Sequence, residues 1–191
     1  TTPGPWELQN LFLKMKEKSV SHAVMEVSSI ALDQFRTAGT HFKGALFTNL
    51  TQDHLDYHGT FERYADAKRR LFEEYPMEFA VMNADDAHSS YLGEKFKGKK
   101  ISYSVLKKAD FHPQRFLFDR SRTVATIASP VGELELAIPL IGDHNLSNAL
   151  GVLAIGYAMN FDLKRVVSAL AIAPGAPGRL EKVPLPVNGP S

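Results

Sequence analysis

The sequence predicts an α/β fold: a mainly parallel sheet flanked by helices, with a small antiparallel addition. Between residues 5 and 106, helical and strand patterns alternate, which implies crossover connections and parallel strand pairing. From Asp110 onward the pattern changes to short apolar runs separated by turns, which favours antiparallel strands. With 191 residues and 44% apolar content, the chain can bury a core.

The alternating region begins with a helix. Pro5 suits a first helical turn, and an apolar face at helical spacing follows it, formed by Leu8, Leu11, Phe12 and Met15. Residues 23–27, apolar except for Glu26, predict a short strand, and residues 44–49 predict a second.

A longer helix is predicted next. Thr60 is a good N-cap for a helix through Tyr75, and Glu62 places negative charge in its first turn. Three shorter elements follow it: a strand over residues 79–83, a helix over 85–92 and a strand over 100–103.

The second part of the chain predicts a β-meander and two helices. The meander strands are expected at residues 116–118, 123–127 and 134–138. Asp143 or Asn145 begins an Ala- and Leu-rich helix to about Met159, and Asp162 begins another to about Ala171.

Composition excludes several classes of function. Twenty-two basic and 21 acidic residues give a net charge of +1, which argues against a nucleic-acid binder and favours small-molecule partners. Without cysteine, any metal must take oxygen and imidazole ligands, which favours magnesium or manganese. No apolar run approaches 18 residues and no leader is recognisable, so the sequence predicts no membrane partner and a cytoplasmic location.

The strongest candidate site follows the strand at 44–49. Residues 53–58 contain two histidines and two carboxylates, and metal ligands at a strand end are typical of α/β active sites. An isolated Asp-His pair is more often part of a polar loop. Here Lys68 follows in a helical pattern, one turn from the aromatic residues Tyr64 and Phe72 on either side. Such a lysine points toward the core and has a lowered pKa, unless it extends to solvent as a surface lysine.

Glu26 is a second candidate, because burying an ionised carboxylate in an apolar strand costs several kcal/mol unless a partner compensates it. The alternative is a strand-edge glutamate that reaches solvent. Ser28 and Ser29 can donate hydroxyl hydrogen bonds to a phosphate or carboxylate, with Gln34 and Arg36 close downstream. Serine pairs are also ordinary turn residues.

Three residues near the C-terminus could contact a nucleotide. Asn145 and Asn148, three apart at a helix start, suit helix capping and also suit reading the edge of an adenine. Arg179 follows a rigid Pro-Gly turn, a position that suits a phosphate or ribose contact as well as a surface ion pair.

Taken together, these motifs resemble the central domain of the Mur ligases. The resemblance is carried, in order, by residues 25–29, 47–59, 64–68, 144–148 and 177–179. Within that family it points to the branch that adds the third amino acid to UDP-MurNAc-L-Ala-D-Glu in peptidoglycan synthesis. It implies ATP as co-substrate: the substrate carboxylate is phosphorylated to an acyl phosphate, and the amine of the amino acid, meso-diaminopimelate or lysine, displaces phosphate.

The resemblance also implies roles for individual residues. Glu26 and His54 would bind magnesium, and a carbamylated Lys68 would supply an oxygen ligand for the second of two Mg²⁺ ions. The UDP-muramoyl substrate would contact Thr1, Thr2, Ser28, Gln34 and Arg36. ATP would contact Asn145, Asn148 and Arg179, with Asn145 the weaker candidate.

The resemblance places residues 1–183 in the central domain and residues 184–191 in a tail toward a C-terminal domain. The phosphate loop and the N-terminal domain of the family would precede this chain, so by itself the chain is expected to be inactive. Three alternatives stay open at this point. They are a ligase like folylpolyglutamate synthetase, a metal-dependent phosphohydrolase and a non-catalytic nucleotide-binding module.

Overall fold

The computed structural model describes residues 2–119 and 121–175, and the chain divides into two compact units, Thr1–Tyr103 and Ser104–Ser191. The first unit is helical around a parallel sheet. Its strands are β1 (Gly44–Phe47), β2 (Phe79–Asn83) and β3 (Lys99–Tyr103). Its helices are α1 (Pro5–Glu17), α2 (Ser29–Asp33), α3 (Leu55–His58), α4 (Phe61–Glu74) and α5 (Ser89–Gly93).

The parallel sheet has the order β1-β2-β3, as the alternating sequence pattern predicts. All five residues of β2 are buried, because this strand is central and covered on both faces. The core of this unit joins the sheet to α4 and α5 and includes Phe47, Leu50, Tyr64, Ala65, Phe72, Ala80, Met82, Leu92 and Phe96.

The boundaries of α4 follow from local chemistry. The Thr60 hydroxyl accepts a hydrogen bond from the Arg63 amide (3.3 Å), which satisfies a free N–H group of the first turn. Tyr64 and Phe72 are buried, and Lys68 lies between them on the same face, half-buried. The predicted helix from Thr60 to Tyr75 is therefore confirmed.

Residues 23–27 do not form the predicted strand. The Thr2 hydroxyl donates to the Glu26 carbonyl oxygen (2.9 Å) and accepts from the Ser28 amide (3.0 Å), so a side chain takes the place of a neighbouring strand. Val24 is fully exposed. The predicted helix at 85–92 begins only at Ser89, because residues 85–88 form turns in which the Asp86 carboxylate accepts from the His88 amide (2.8 Å).

The second unit contains the predicted meander and two helices. β4 (His112–Phe118), β5 (Thr123–Ser129) and β6 (Gly132–Ile138) form an antiparallel sheet in that order. The helices are α6 (Asp143–Ala158) and α7 (Leu163–Leu170), and the Asp162 carboxylate caps α7 by accepting from the Lys164 amide (2.9 Å). Across both described ranges, no helix has the length and apolar character needed to cross a bilayer.

Candidate functional site

The loop that follows β1 is fastened to the end of the central strand. Asn83, the last residue of β2, donates from Nδ2 to the Thr48 carbonyl oxygen (2.6 Å). The Asp86 carboxylate accepts from the Leu50 amide (2.7 Å). Because β1 and β2 are parallel, these bonds hold the loop at the carboxyl edge of the sheet, where α/β proteins bind ligands.

His54 turns the chain from this loop into α3. Its backbone is left-handed (φ 54°, ψ 26°), a conformation that costs a non-glycine residue roughly 1–2 kcal/mol. Asp53 supports the turn, since its Oδ1 accepts from the His54 amide (2.8 Å) and its Oδ2 lies 3.6 Å from His54 Nε2. The His54 side chain is 39% exposed and can therefore reach a ligand.

The ring of Tyr64 is the centre of the candidate site. It is 4% exposed, and its centroid lies 6.2 Å from the His54 ring and 5.6 Å from the His58 ring. Lys68 Nζ lies 5.5 Å from the same centroid, so a cation–π contact holds the amine over the ring. Thus α4 brings Lys68 to the residues of the loop and α3.

Burial lowers the pKa of Lys68, while the carboxylates of Asp53 and Glu26 act in the opposite direction. Glu26 is exposed, so of the two sequence interpretations the glutamate that reaches solvent applies. Among the candidate metal residues, His54 and Lys68 both lie against the Tyr64 ring, whereas Glu26 is related to Lys68 only by its electrostatic effect on the pKa of the amine. Burial favours the neutral form of the Lys68 amine, and the neutral form is the one that reacts as a nucleophile.

The chemistry of these side chains fits a divalent metal ion on one condition. Among residues 2–119 and 121–175, no group of three or more His, Cys, Asp or Glu side chains is placed to hold a metal. Glu26 offers oxygen and His54 offers imidazole, whereas an unmodified lysine offers no ligand when protonated. A carbamate on Lys68 would add a third ligand, an oxygen donor, to those of Glu26 and His54.

His58 does not belong to the candidate ligands, although it shares the His- and Asp-rich run. It is 6% exposed, and its Nε2 lies 2.9 Å from the hydroxyl of Ser29, which is fully buried. Burial is the largest cause that lowers the pKa of His58, with His54 and Lys68 acting in the same direction. His58 therefore joins α3 to α2 in the interior as a neutral imidazole.

The predicted substrate residues lie near α2, and several are already engaged. Thr2 is 2% exposed, and its hydroxyl serves the main chain at Glu26 and Ser28. Ser28 caps α2 by accepting from the Ala31 amide (3.1 Å), which is the turn role that the sequence left open. Thr1 lies outside the described residues.

Gln34, which is exposed, and Arg36, which is half-buried, form a hydrogen-bonded pair. Gln34 Oε1 accepts from Arg36 Nε (2.9 Å) and Nη2 (2.6 Å), and Arg36 Nη1 donates to the Thr2 carbonyl oxygen (3.2 Å). No role was predicted for Tyr57, whose hydroxyl accepts from Gln34 Nε2 (3.3 Å) and donates to Asp33 Oδ2 (2.9 Å). Its position beside two histidines was the available signal.

The predicted ATP contacts belong to the second unit or lie outside the described residues. Asn145 donates from Nδ2 to the Ile141 carbonyl oxygen (2.9 Å), so it closes the turn before α6. Asn148 lies in the first turns of α6 with an exposed side chain. Arg179 falls outside the described residues. Of the two asparagines, Asn148 is the one whose side chain is exposed in the described part of the chain.

Comparison with known proteins identifies the family. A family model described as the Mur ligase middle domain matches residues 1–156. The chain belongs to the Mur ligase family. It is 41% identical over 184 residues to the UDP-N-acetylmuramoyl-L-alanyl-D-glutamate–2,6-diaminopimelate ligase of Gloeobacter violaceus, with 96% of this chain and 37% of the relative covered. The ligase of the same name from Listeria monocytogenes is 36% identical over 190 residues, with coverage of 96% and 39%.

A solved structure with the same ligase name superposes with a TM-score of 0.90 at 31% identity, covering 97% of this chain and 39% of that one. MurF from Acinetobacter baumannii gives a TM-score of 0.68 at 22% identity, over 75% of this chain and 32% of that one. An FPGS mutant from L. casei gives a TM-score of 0.61 at 16% identity, over 78% of this chain and 38% of that one. At these identities, MurF and FPGS share the fold with this chain. The predicted family and fold are confirmed. The chain spans less than two fifths of the length of the curated relatives named above.

Proposed function

We propose that the full-length protein containing this chain is an ATP-dependent amide ligase that adds 2,6-diaminopimelate to UDP-MurNAc-L-Ala-D-Glu. The observation that carries the proposal is the identity of 41% to a ligase of that name, extending over 96% of this chain. The diaminopimelate assignment rests on the names of the relatives.

The reaction follows from the chemistry of the two substrates. An oxygen of the muramoyl dipeptide carboxylate attacks the γ-phosphorus of ATP, the bond to ADP breaks, and an acyl phosphate forms. The amine of the amino acid then attacks the acyl carbon, phosphate leaves, and the amine loses a proton. Charge accumulates on phosphate oxygens in the first step, and magnesium bound at the site would neutralise part of it.

Glu26, His54 and Lys68 would hold the magnesium. The protonated Lys68 amine first loses a proton to solvent; the neutral amine then attacks the carbon of CO₂, forms an N–C bond as one C–O π bond opens, and releases a second proton, which leaves a carbamate anion. Burial at Tyr64 supports this step because it favours the neutral amine. Gln34 and Arg36 would bind the UDP-muramoyl substrate, and Asn148 and Arg179 would contact ATP. A cytoplasmic location stays a prediction from the sequence.

The test is a phosphate-release assay on the full-length protein. We expect ATP consumption only when both the UDP-muramoyl dipeptide and diaminopimelate are present, with lysine as the matched alternative amino acid. ATP hydrolysis without either substrate would contradict the proposal and favour a phosphohydrolase. Glutamate addition to a folate would favour the folylpolyglutamate type, whose likeness to this chain extends to the fold.

A further inference from the structure

The hydroxyl of Tyr57 joins two parts of the first unit that the proposed function uses separately. Tyr57 lies on α3, the helix that His54 begins, and the Tyr57 amide donates to the His54 carbonyl oxygen (3.1 Å). Its hydroxyl contacts Asp33, the last residue of α2 and 24 positions earlier in the chain, and Gln34, the residue that follows α2. The Tyr57 ring also meets the His58 ring edge-on at 4.8 Å. The hydroxyl is therefore held from both sides.

The hydrogen bonds at Tyr57 run in one direction. The hydroxyl donates its only hydrogen to Asp33, which leaves an oxygen lone pair to accept from Gln34 Nε2. With its nitrogen end fixed in this way, the Gln34 amide turns its oxygen toward Arg36. The reverse orientation would direct N–H groups of Gln34 at N–H groups of the guanidinium, where no acceptor exists.

Arg36 is thereby oriented with part of its hydrogen-bonding capacity unused. A guanidinium has five N–H groups, and Arg36 uses three of them: one each on Nε and Nη2 for Gln34, and one on Nη1 for Thr2. The two others can donate to a planar anion such as a phosphate or carboxylate. Asp33, Gln34 and Tyr57 are exposed, and exposed polar contacts contribute little to stability. The network therefore serves orientation more than folding.

We propose that Tyr57 is a positioning residue for the anionic part of the UDP-muramoyl substrate, acting through Gln34 to orient Arg36. The inference rests on the proposed function and extends it to a residue whose hydroxyl contacts Gln34 and Asp33 and which is assigned no contact with the anion. Tyr57 also places this orientation under the control of α3, so that the metal side and the substrate side of the site share one short helix.

The first experiment is Tyr57→Phe in the full-length protein, which removes one oxygen atom and keeps the ring. We expect the Kd of the UDP-muramoyl dipeptide, measured by calorimetry, and its KM to rise roughly three- to tenfold, the effect of losing one hydrogen bond. The kcat should stay within about twofold, and the KM for ATP and the melting temperature should not change.

Tyr91→Phe is the matched control. Tyr91 on α5 is 37% exposed, compared with 41% for Tyr57, and its hydroxyl also donates to an aspartate, Asp66. It has no contact with Gln34 in the described structure, so the Kd and KM of the UDP-muramoyl dipeptide should be unchanged in this variant.

A double-mutant cycle tests the route of the effect. In a Gln34→Ala background, Tyr57→Phe should cause no further rise in Kd, because the residue through which it acts is gone. An undiminished effect in that background would overturn the inference, and so would an unchanged Kd in the single variant. If the wild-type protein consumes ATP without requiring the dipeptide, the proposed function fails and the inference fails with it. A normal dipeptide requirement with no effect of Tyr57→Phe refutes the inference alone.

Discussion

Replacing Lys68 by alanine tests the metal site most directly. In its unmodified, protonated form the Lys68 amine contributes a cation–π contact with Tyr64, 5.5 Å away, which is worth about 1 kcal/mol. Its loss is small beside a typical domain stability of about 5–15 kcal/mol, so the variant should fold. If the carbamate is a metal ligand, about 3 kcal/mol or more of transition-state stabilisation disappears, which corresponds to a loss in kcat of roughly 100-fold or greater.

The assay is steady-state phosphate release by the full-length protein at saturating substrates, with and without a small carboxylate such as acetate. The Lys68→Ala variant should regain part of its activity with acetate, because the deleted side chain leaves space for a carboxylate near Tyr64. Lys68→Met fills that space with an uncharged chain of similar length, so acetate should not restore it.

Lys95→Ala controls for the loss of a lysine. Lys95 is 61% exposed and pairs with Glu73 of α4 at 3.3 Å, outside the Tyr64 cluster, so kcat should be unchanged. Carbon-13 NMR of the wild-type protein in labelled bicarbonate should show a carbamate signal that is absent in Lys68→Ala. Full activity of Lys68→Ala, or no such signal in active protein, would refute the metal-bridging role of this lysine.

Three predictions concern the stability of the first unit, measured by calorimetric or urea unfolding. Ser29→Ala removes the hydroxyl that lies 2.9 Å from the buried imidazole of His58 and should lower the free energy of unfolding by about 1–3 kcal/mol. A change below about 0.5 kcal/mol would contradict this. Because burial lowers the pKa of His58, the unfolded chain binds more protons at this residue than the folded chain does. The contribution of His58 to the free energy of unfolding is therefore complete above the unfolded pKa of 6.5 and is lost as the pH falls through the folded pKa. His58→Phe should flatten the fall in melting temperature between about pH 7.5 and 5.5, and an unaltered pH profile would argue against this assignment. Gly44→Ala places a Cβ 2.2 Å from the Phe79 ring in the paired strand and should cost roughly 1–3 kcal/mol, whereas Gly4→Ala, which meets no atom within 4 Å, should be nearly neutral; equal effects would show that the sheet accommodates the methyl group.

The elements that local chemistry determines could be predicted from the sequence. The cap at Thr60 and the apolar spacing after it define α4, and the strand at residues 79–83 is found with the same bounds. The meander and the Asp162-capped helix were predicted on the same grounds and are confirmed. Turn residues and caps act within a few positions of the chain, so one sequence is enough to read them.

Other features depend on distant partners that no local pattern shows. Residues 23–27 look like a strand, but the Thr2 hydroxyl and not a strand satisfies their main chain at Glu26 and Ser28. The helices α2 and α3 have five and four residues, too few to display a helical period.

The candidate site shows the same division. His54 and His58 are equivalent in a motif, yet one is partly exposed and the other is paired with Ser29, 29 positions away. The sequence predicted Lys68 on the helix face of Tyr64 and Phe72, and in the structure it is half-buried there, with Nζ 5.5 Å from the centre of the Tyr64 ring. The roles of Glu26, His54 and Lys68 in metal binding stay predictions from the family resemblance. For His54 and Lys68, the fold adds proximity to the Tyr64 ring.

The hydrogen bonds that join the β1 loop to Asn83 and Asp86 make the position of the candidate site residue His54 depend on the structure of the sheet. A substitution that loosens the last residue of the central strand would release Thr48, and with it the segment that presents His54, before the strand itself melts. Natural substitutions in β2 would then be limited by their effect on the position of His54 as well as by their effect on folding. A partially destabilised form of this domain would lose its reactivity while it still gave the spectroscopic signature of an intact α/β protein.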